Sequence, residues 1–444
     1  MSKPTVAIMW HRRDLRLHDN AALYHALKAG RPVLPLFIFD KDILDHLHDK
    51  RDRRVEFIYK EVLKMQDALQ KMGSTLLVRY GRPLDIFREL ADEYDITNVF
   101  ANYDYEAYGK GRDAEVATYL GSVGAGFHTY KDQAILDRDE VLTGAGKPYT
   151  VFGPYSRNWL SKLAADPTYL DSYPTEDHMD ALFKTPPTPM VTLDDMGFEP
   201  LGENYPKPTV SAELLATYQK MRDYPAERGT SELGIHLRFG TISIRDLARQ
   251  AQESSSTFLS ELCWRDFYFQ VLDHFPHVEQ YAFRREYDKI QFLNKPEDIE
   301  RWKNGQTGYP LVDAGMRQLN ETGWMHNRVR MVVAGFCIKH LLIDWRIGEA
   351  YFAEKLRDFD LSANNGGWQW AAGSGTDAAP YFRVFNPTAQ AEKFDSKGEY
   401  IRRWVPEYGN APGQSPQYPA PMIDHAFARQ RVVEVYKAGL KKEE

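Results

Sequence analysis

Between Asp358 and Arg383 the chain reads DFDLSANNGGWQWAAGSGTDAAPYFR, a run poor in the long aliphatic side chains that build ordinary cores. Two acids, two consecutive amides, a glycine pair and two tryptophans follow one another closely. Asp358 and Asp360 point the same way where the backbone is extended. Gly366 and Gly367 allow backbone to approach a flat or bulky group with no Cβ in the way. Trp368 and Trp370 each add a large π surface and one N–H. With Asn364 and Asn365 beside them, these residues suit a large aromatic ligand with polar edges. An Asx-rich helix connector followed by core tryptophans is the competing reading, and the run alone leaves both open.

Three further groups carry chemistry. Tyr218, Arg222 and Pro225 precede Gly229-Thr230-Ser231-Glu232-Leu233-Gly234. Thr230 and Ser231 read as caps of a helix whose free N–H groups would suit phosphate, although capping alone explains the pair. Phe258, Glu261, Trp264, Arg265 and Tyr268 fall on one face at helical spacing. An acid, an arginine and several aromatics in one stripe read as a site wall, with an interface stripe as the rival. Asn327, Arg330 and Met331 share a face of a long helix expected to open at Gly323 and end near Trp345. Met331 is ordinarily core filler, but beside Asn327 it could line a pocket. His326 lacks partners at metal spacing, and His46 and His48 read as surface residues, so no metal is expected. No Ser/His/Asp, Cys/His or paired-zinc arrangement is found, and hydrolysis by nucleophile or metal is not indicated.

The elements that must position these residues follow from length and periodicity. A chain of 444 residues exceeds one core and suggests two or three domains. Residues 4–130 alternate apolar runs (Val6–Trp10, Val33–Phe39, Thr75–Val78, Ile96–Phe100) with amphipathic stretches such as Arg53–Met72 and Pro83–Tyr94. That alternation predicts a doubly wound parallel sheet, an α/β domain of Rossmann-like type. No G-x-G-x-x-G follows the first strand, which argues against the usual dinucleotide site. Instead the strand runs into a polar knot, His11 to Asn20, read mainly as a salt-bridged tie at the end of the sheet where ligands bind. Residues 131–208 lose periodicity, and their later part is proline-studded, as in an interdomain linker. From 209 to 444 the period is helical. The expected architecture is thus an α/β domain (1–130), a linker (131–208) and a larger all-α domain (209–444).

Composition narrows the partners. The net charge of −7 gives no global basicity, so a nucleic-acid partner would need a local basic patch. Cys263 and Cys337, the only cysteines, sit in apolar helical contexts and imply a reducing compartment without disulfides. With no signal peptide, membrane span or lipidation motif, a cytoplasmic protein is expected.

Together the motifs resemble the photolyase/cryptochrome family over nearly the whole chain. The resemblance is carried by Trp10-His11-Arg12-Arg13-Asp14-Leu15-Arg16, Gly308-Tyr309-Pro310-Leu311-Val312-Asp313-Ala314, Trp324-Met325-His326-Asn327-Arg328 and the run from Asp358 to Arg383. It is closest to class I cyclobutane pyrimidine dimer photolyases. The resemblance implies FAD in the helical domain, active in its reduced form, and damaged DNA as partner. No membrane or obligate protein partner is expected, and the protein is expected to be a monomer. Thr230, Ser231, Glu232, Leu233 and Gly234 would hold the phosphates, with Tyr218, Phe258, Arg265, Arg330, Asp358, Phe359 and Asp360 around the cofactor. Asn364 would face the flavin N5. Glu261, Trp264, Tyr268, Asn327, Met331 and Trp370 would line a pocket for a flipped-out pyrimidine dimer, with Glu261, Asn327, Met331 and Asn364 closest to the chemistry. Arg222, Arg265, Arg328 and Arg383 would meet DNA. The implied reaction is light-driven: one electron passes from the flavin to the dimer and returns. Glu261, if protonated, would donate to a base carbonyl.

Some positions depart from the family pattern. Gly234 stands where Ser is usual, and Phe258 replaces a Trp. The tryptophan series for photoreduction matches at Trp368 and Trp345, but its outer position is Phe292, leaving Trp302 or a tyrosine as the substitute. For a second, antenna chromophore the stretch around Asp104 and Glu106 looks closer to binders of 8-hydroxy-5-deazaflavin than of methenyltetrahydrofolate, with a flavin antenna, or none, as the fallback. The alternatives are a cryptochrome-type blue-light sensor, a (6-4) photolyase and a non-photochemical flavoprotein oxidoreductase. The absence of a long tail after Ala426–Leu440 and the asparagine at 364 speak against the first. The Met-His-Asn-Arg-Val-Arg-Met pattern speaks against the second, and the lack of a nicotinamide fingerprint against the third.

Overall fold

The computed structural model describes residues 3–410 and 417–441. The chain packs into two units: one made of Met1–Glu140, Trp159–Thr209 and Glu232–Glu253, the other of Val141–Asn158, Val210–Ser231 and Ser254–Glu444.

The first unit is built on a five-stranded sheet, β1 (Thr5–His11), β2 (Val33–Asp40), β3 (Leu77–Gly81), β4 (Asp95–Asn102) and β5 (Gly126–Tyr130), in the order β3-β2-β1-β4-β5. All neighbours are parallel. Helices α1 (Ala21–Leu27), α2 (Arg53–Lys71), α3 (Pro83–Glu93) and α4 (Ala107–Ser122) connect the strands. The pleat of β1 explains why its apolar run is continuous. Ala7 and Met9 enter the core shared with α1 and α2, while Val6, Ile8 and Trp10 enter the one shared with α3 and α4. β5 escapes the sequence pattern because its middle residues, His128 and Thr129, are exposed at the sheet edge. The polar knot after β1 is a tie: Asn102 and Asn20 donate to Asp14 at 2.6 and 3.2 Å. Arg16 and Arg245 meet at the buried Asp132, at 2.7 and 2.8 Å.

The second unit is helical. Its main members are α5 (Ala212–Met221), α6 (Ser256–His274), α7 (Pro310–Thr322), α8 (Asn327–Gly335), α9 (Trp345–Lys355), α10 (Leu361–Ala372) and α11 (His425–Gly439). Val312, Met316, Leu319, Val329, Val333, Phe336, Trp345, Phe352 and Trp368 lie in its core. The single helix expected from Gly323 to Trp345 is in fact two. His326 caps α8 by accepting from the Arg328 N–H at 3.1 Å. A π-helical turn, Phe336–His340, follows, and the chain then breaks at Leu342, whose φ of 53° is left-handed. Asp344 restarts it as the cap of α9, accepting from the Arg346 N–H. Two glycines allow the close helix approaches around α10. A Cβ at Gly366 would lie 2.2 Å from the Tyr268 ring of α6, and one at Gly348 of α9 would lie 2.1 Å from Trp368. Among the described residues no helix is long and apolar enough to cross a membrane, and no cluster of three potential metal ligands occurs.

Candidate functional site

Within the run from Asp358 to Arg383, Leu361–Ala372 is helix α10, and the two acids that precede it do different things. Asp360 is the cap of α10, accepting from the N–H groups of Ser362 and Ala363 at 3.1 and 3.5 Å. Asp358 accepts from Arg330 of α8 at 2.8 and 3.1 Å, and Arg330 is fixed in turn by donating to the Met325 carbonyl at 2.7 Å. The paired amides also divide. Asn365 is buried and donates to the Val278 carbonyl at 2.8 Å. Asn364, one position back, donates its N–H groups to Glu349 of α9, at 3.1 Å to the backbone oxygen and 2.8 Å to the carboxyl. Its side-chain oxygen is left to accept from a ligand. Burial pushes the Glu349 carboxyl above the usual carboxylate range. One turn along from Ala363, the Cβ position of Gly367 meets nothing within 4 Å, and both residues are exposed although Trp368 and Gln369 beside them are buried. This open face, edged by an acceptor amide and an Arg–Asp pair, fits a flat ring with polar edges.

The stripe on α6 is a wall. Glu261 accepts from Arg222 at the end of α5. Trp264 stacks face to face on Phe152, with centroids 3.6 Å apart and planes 9° from parallel, and lies 5.5 Å from the Tyr268 ring. Phe258 packs edge-on against Tyr218 at 5.0 Å. On α8, Asn327 is exposed, and Arg328 and Met331 look into a cavity of about 320 Å3 that Trp370, Arg383, Phe385 and Phe394 also line. Trp370 lies 6.4 Å from Phe385 across it.

Other expected residues sit elsewhere. Leu233 holds the cap position of the helix Gly234–Phe239, so Thr230 and Ser231 are not its caps. Of the arginines expected to meet DNA, Arg222 is paired with Glu261 and Arg328 with Asp223 at 2.7 Å, while Arg265 lies over Phe269. Arg383 is exposed, with no carboxylate partner among the described residues. Trp345 carries the Arg346 guanidinium over its ring at 4.7 Å. Phe292 packs toward Tyr436, 6.5 Å away, whereas Trp368 meets Trp302 at 6.1 Å, and Trp302 meets Tyr351 at 5.8 Å. In the first unit Asp104 and Glu106 both accept from Arg13, at 3.3 and 2.8 Å, and Glu106 also from Arg238 at 2.6 Å. Burial alone would raise the Asp104 carboxyl, but the guanidiniums of Arg13, Arg112, Arg238 and Arg12 hold it at about 2.

Two site residues are invisible to sequence patterning. Phe152 stands in a segment read as linker, where only its spacing from Tyr155 hinted at a helix face. Glu349 is one acid in an ordinary amphipathic helix, and nothing in one sequence links it to Asn364.

Comparison with known proteins gives the family. A family model described as the FAD binding domain of DNA photolyase matches residues 258–438, and one described as DNA photolyase matches residues 7–174. The deoxyribodipyrimidine photo-lyase of Escherichia coli (strain K12) is 38% identical, with 98% of this chain and 99% of the relative covered. Among solved structures, a bacterial class III photolyase from Agrobacterium tumefaciens superimposes with a TM-score of 0.86 at 32% identity, covering 100% of this chain and 99% of that one. An archaeal photolyase from Sulfolobus tokodaii, solved with two FAD molecules and described as implying a novel light-harvesting cofactor, gives 0.79 at 33% identity, covering 98% and 100%. A two-part enzyme with an FAD-binding helical unit is the class these findings define. The chain belongs to the DNA photolyase family.

Proposed function

We propose that the chain repairs cyclobutane pyrimidine dimers in DNA, using light absorbed by reduced FAD. The observation that carries this reading is one unit holding both an open, amide-edged face on α10 and, around Trp370 and Met331, a cavity lined by aromatic and mostly basic side chains. FAD, when bound, supplies light absorption and a single electron. The residues present suit it: Asn364 offers an acceptor for the flavin edge, held in orientation by Glu349, and the Asp358–Arg330 pair, Tyr218 and Phe258 are assigned to the cofactor's surroundings. Thr230, Ser231, Glu232, Leu233 and Gly234 are assigned to its phosphates, with Arg265, Phe359 and Asp360 nearby.

The substrate side is assigned to α6, α8 and α10. An extruded dinucleotide costs less to flip where pairing is already distorted, and aromatic walls recover part of that cost by stacking. Trp264, with one face taken by Phe152, and Trp370 are such walls. Met331 and Asn327 supply soft apolar contact and an amide for base edges. Glu261, receiving from Arg222, is an acceptor in this arrangement, so its partner on the lesion is an N–H group. For the first unit, a chromophore of deazaflavin type beside Asp104 and Glu106 is favoured over folate, and a flavin there is the alternative that the two-FAD archaeal relative supports. A cytoplasmic location, on the nucleoid when DNA is bound, goes with this role.

The test is direct. The purified protein, with a dimer-containing oligonucleotide and a reductant, is illuminated with near-ultraviolet or blue light, and the lesion is followed chromatographically. Light-dependent return of intact thymines is expected. A flavin-bearing preparation that leaves the dimer untouched in light would overturn the reading in favour of a sensor.

A further inference from the structure

Helix α8, which carries Asn327, Arg328 and Met331, runs on into the π-helical turn Phe336–His340. Such turns are rare and are found mostly at functional sites. Lys339 in this turn is only 3% exposed. Among the described residues it has no carboxylate partner, and its ammonium donates to a single group, the carbonyl oxygen of Arg383, at 2.9 Å. A buried ammonium without a counter-charge is expensive, and an apolar side chain would fill the same space without that cost. Burial, with the Arg383 guanidinium nearby, pulls Lys339 down to about 8. Packing alone therefore gives no reason for a lysine here.

The carbonyl it holds belongs to one side of the cavity described above. Arg328 and Met331 of α8 line it, and so do Arg383 and Phe385 of the segment after α10. The other anchors of this segment are apolar: Val384, next to Arg383, packs with Tyr381 against Ile290, Leu342, Val432 and Tyr436. Phe385 lies against Gly335, where a Cβ would come within 3.8 Å of its ring, and Tyr381 stacks on Tyr436 at 5.5 Å. Between these two contacts Phe382 is 59% exposed, and Arg383 is exposed too. The Lys339 bond is the polar tie between that stretch and the continuation of α8.

We propose that Lys339 is a positioning residue for the damaged-DNA site: by holding the Arg383 carbonyl it fixes the spacing of the two segments lining the cavity and presents the Arg383 guanidinium outward to a DNA phosphate. The proposal rests on the cavity being the lesion pocket.

Trypsin tests the tie without reference to DNA, because the carbonyl that Lys339 holds is the one trypsin attacks when it cuts after Arg383. In the FAD-bound full chain, Lys339→Met is expected to be cut there at least about ten-fold faster, as for one lost hydrogen bond from a charged donor. Lys339→Arg, which keeps the charge and donors, is expected to stay near the parent. The dissociation constant for a dimer-containing oligonucleotide should rise about five-fold in Lys339→Met, and that for undamaged DNA by less, through the Arg383 phosphate contact alone, with the flavin absorbance per chain unchanged. A parental cutting rate in Lys339→Met overturns the proposal. Faster cutting with unchanged preference for damaged DNA overturns it as well. A parent protein with no preference for damaged DNA defeats the reading of the cavity instead, while the trypsin rates still judge the tie. Should Lys339→Met not fold, Lys339→Leu, which also removes the donor, is held to the same outcomes.

Discussion

Asn364 shows how one side chain can be both held and available. Its N–H groups are committed to Glu349 and its oxygen is not, so a cofactor at the proposed site would meet it as an acceptor in fixed orientation. Asn364→Asp removes the donors and places a second carboxylate against Glu349, whose carboxyl burial already disfavours as an anion. The expected outcome is a loss of ~1–3 kcal/mol in unfolding free energy, the cost of an unmet buried polar group, and less accumulation of reduced flavin under illumination with a reductant. Adding Glu349→Gln, which restores a donor toward the new carboxylate, should recover part of both. Urea unfolding and the visible spectrum during illumination measure them. A single variant with parental spectra and stability would remove Asn364 from the flavin edge. The asparagine itself was legible in the sequence because it sits in a run too polar and too glycine-rich for a core. Its partner was not, because a hydrogen bond across two helices leaves no mark on either one's periodicity.

The elements show the same division. The strands of the first unit follow directly from their apolar runs, save the polar edge strand β5. The helices of the second unit were visible as a period, but their breaks were misplaced, because capping by His326 and Asp344 and the left-handed turn at Leu342 override the continuous apolar pattern from Val329 to Ile343. The cap of α8 carries a pH dependence. His326 can accept from the Arg328 N–H only when that ring nitrogen is unprotonated, and burial lowers its pKa to about 4. The unfolded chain, with histidine near 6.5, binds the proton first. Stability from this residue is therefore complete above about pH 6.5 and is lost progressively as the pH falls toward 4. His326→Ala should cost ~1 kcal/mol at pH 7, as for a lost cap, and should flatten the loss between pH 6.5 and 4. His326→Asn should keep most of the pH 7 stability, since asparagine caps well and does not titrate. Urea unfolding at a series of pH values decides this, and a parental acid slope in His326→Asn would place the titration elsewhere.

At the scale of the whole molecule the net charge is −7, so attraction to DNA cannot come from the total. It must come from the few cations that the fold leaves without acidic partners. Arg222 and Arg328 are tied up in ion pairs, while Arg383 at the cavity lip is exposed and Lys393 also lines the cavity, without an acidic partner among the described residues. The sequence offered all four arginines of the expected DNA face on equal terms, and only the three-dimensional pairing sorts them. Neutralising few phosphates releases few counterions, so affinity for damaged DNA should fall with salt along a shallow line, a slope of roughly −2 to −4 in log–log form. Arg383→Ala and Lys393→Ala should each reduce that slope by about 1 and weaken damaged and undamaged DNA alike, as phosphate contacts do. Trp370→Ala removes a stacking surface instead. It should leave the slope unchanged and erase ~1–3 kcal/mol of the preference for damaged DNA. Binding titrations of both DNAs at several salt concentrations separate the two effects. If Trp370→Ala altered the slope, or Arg383→Ala altered only the preference, charge and stacking would not be divided between the lip and the cavity in this way.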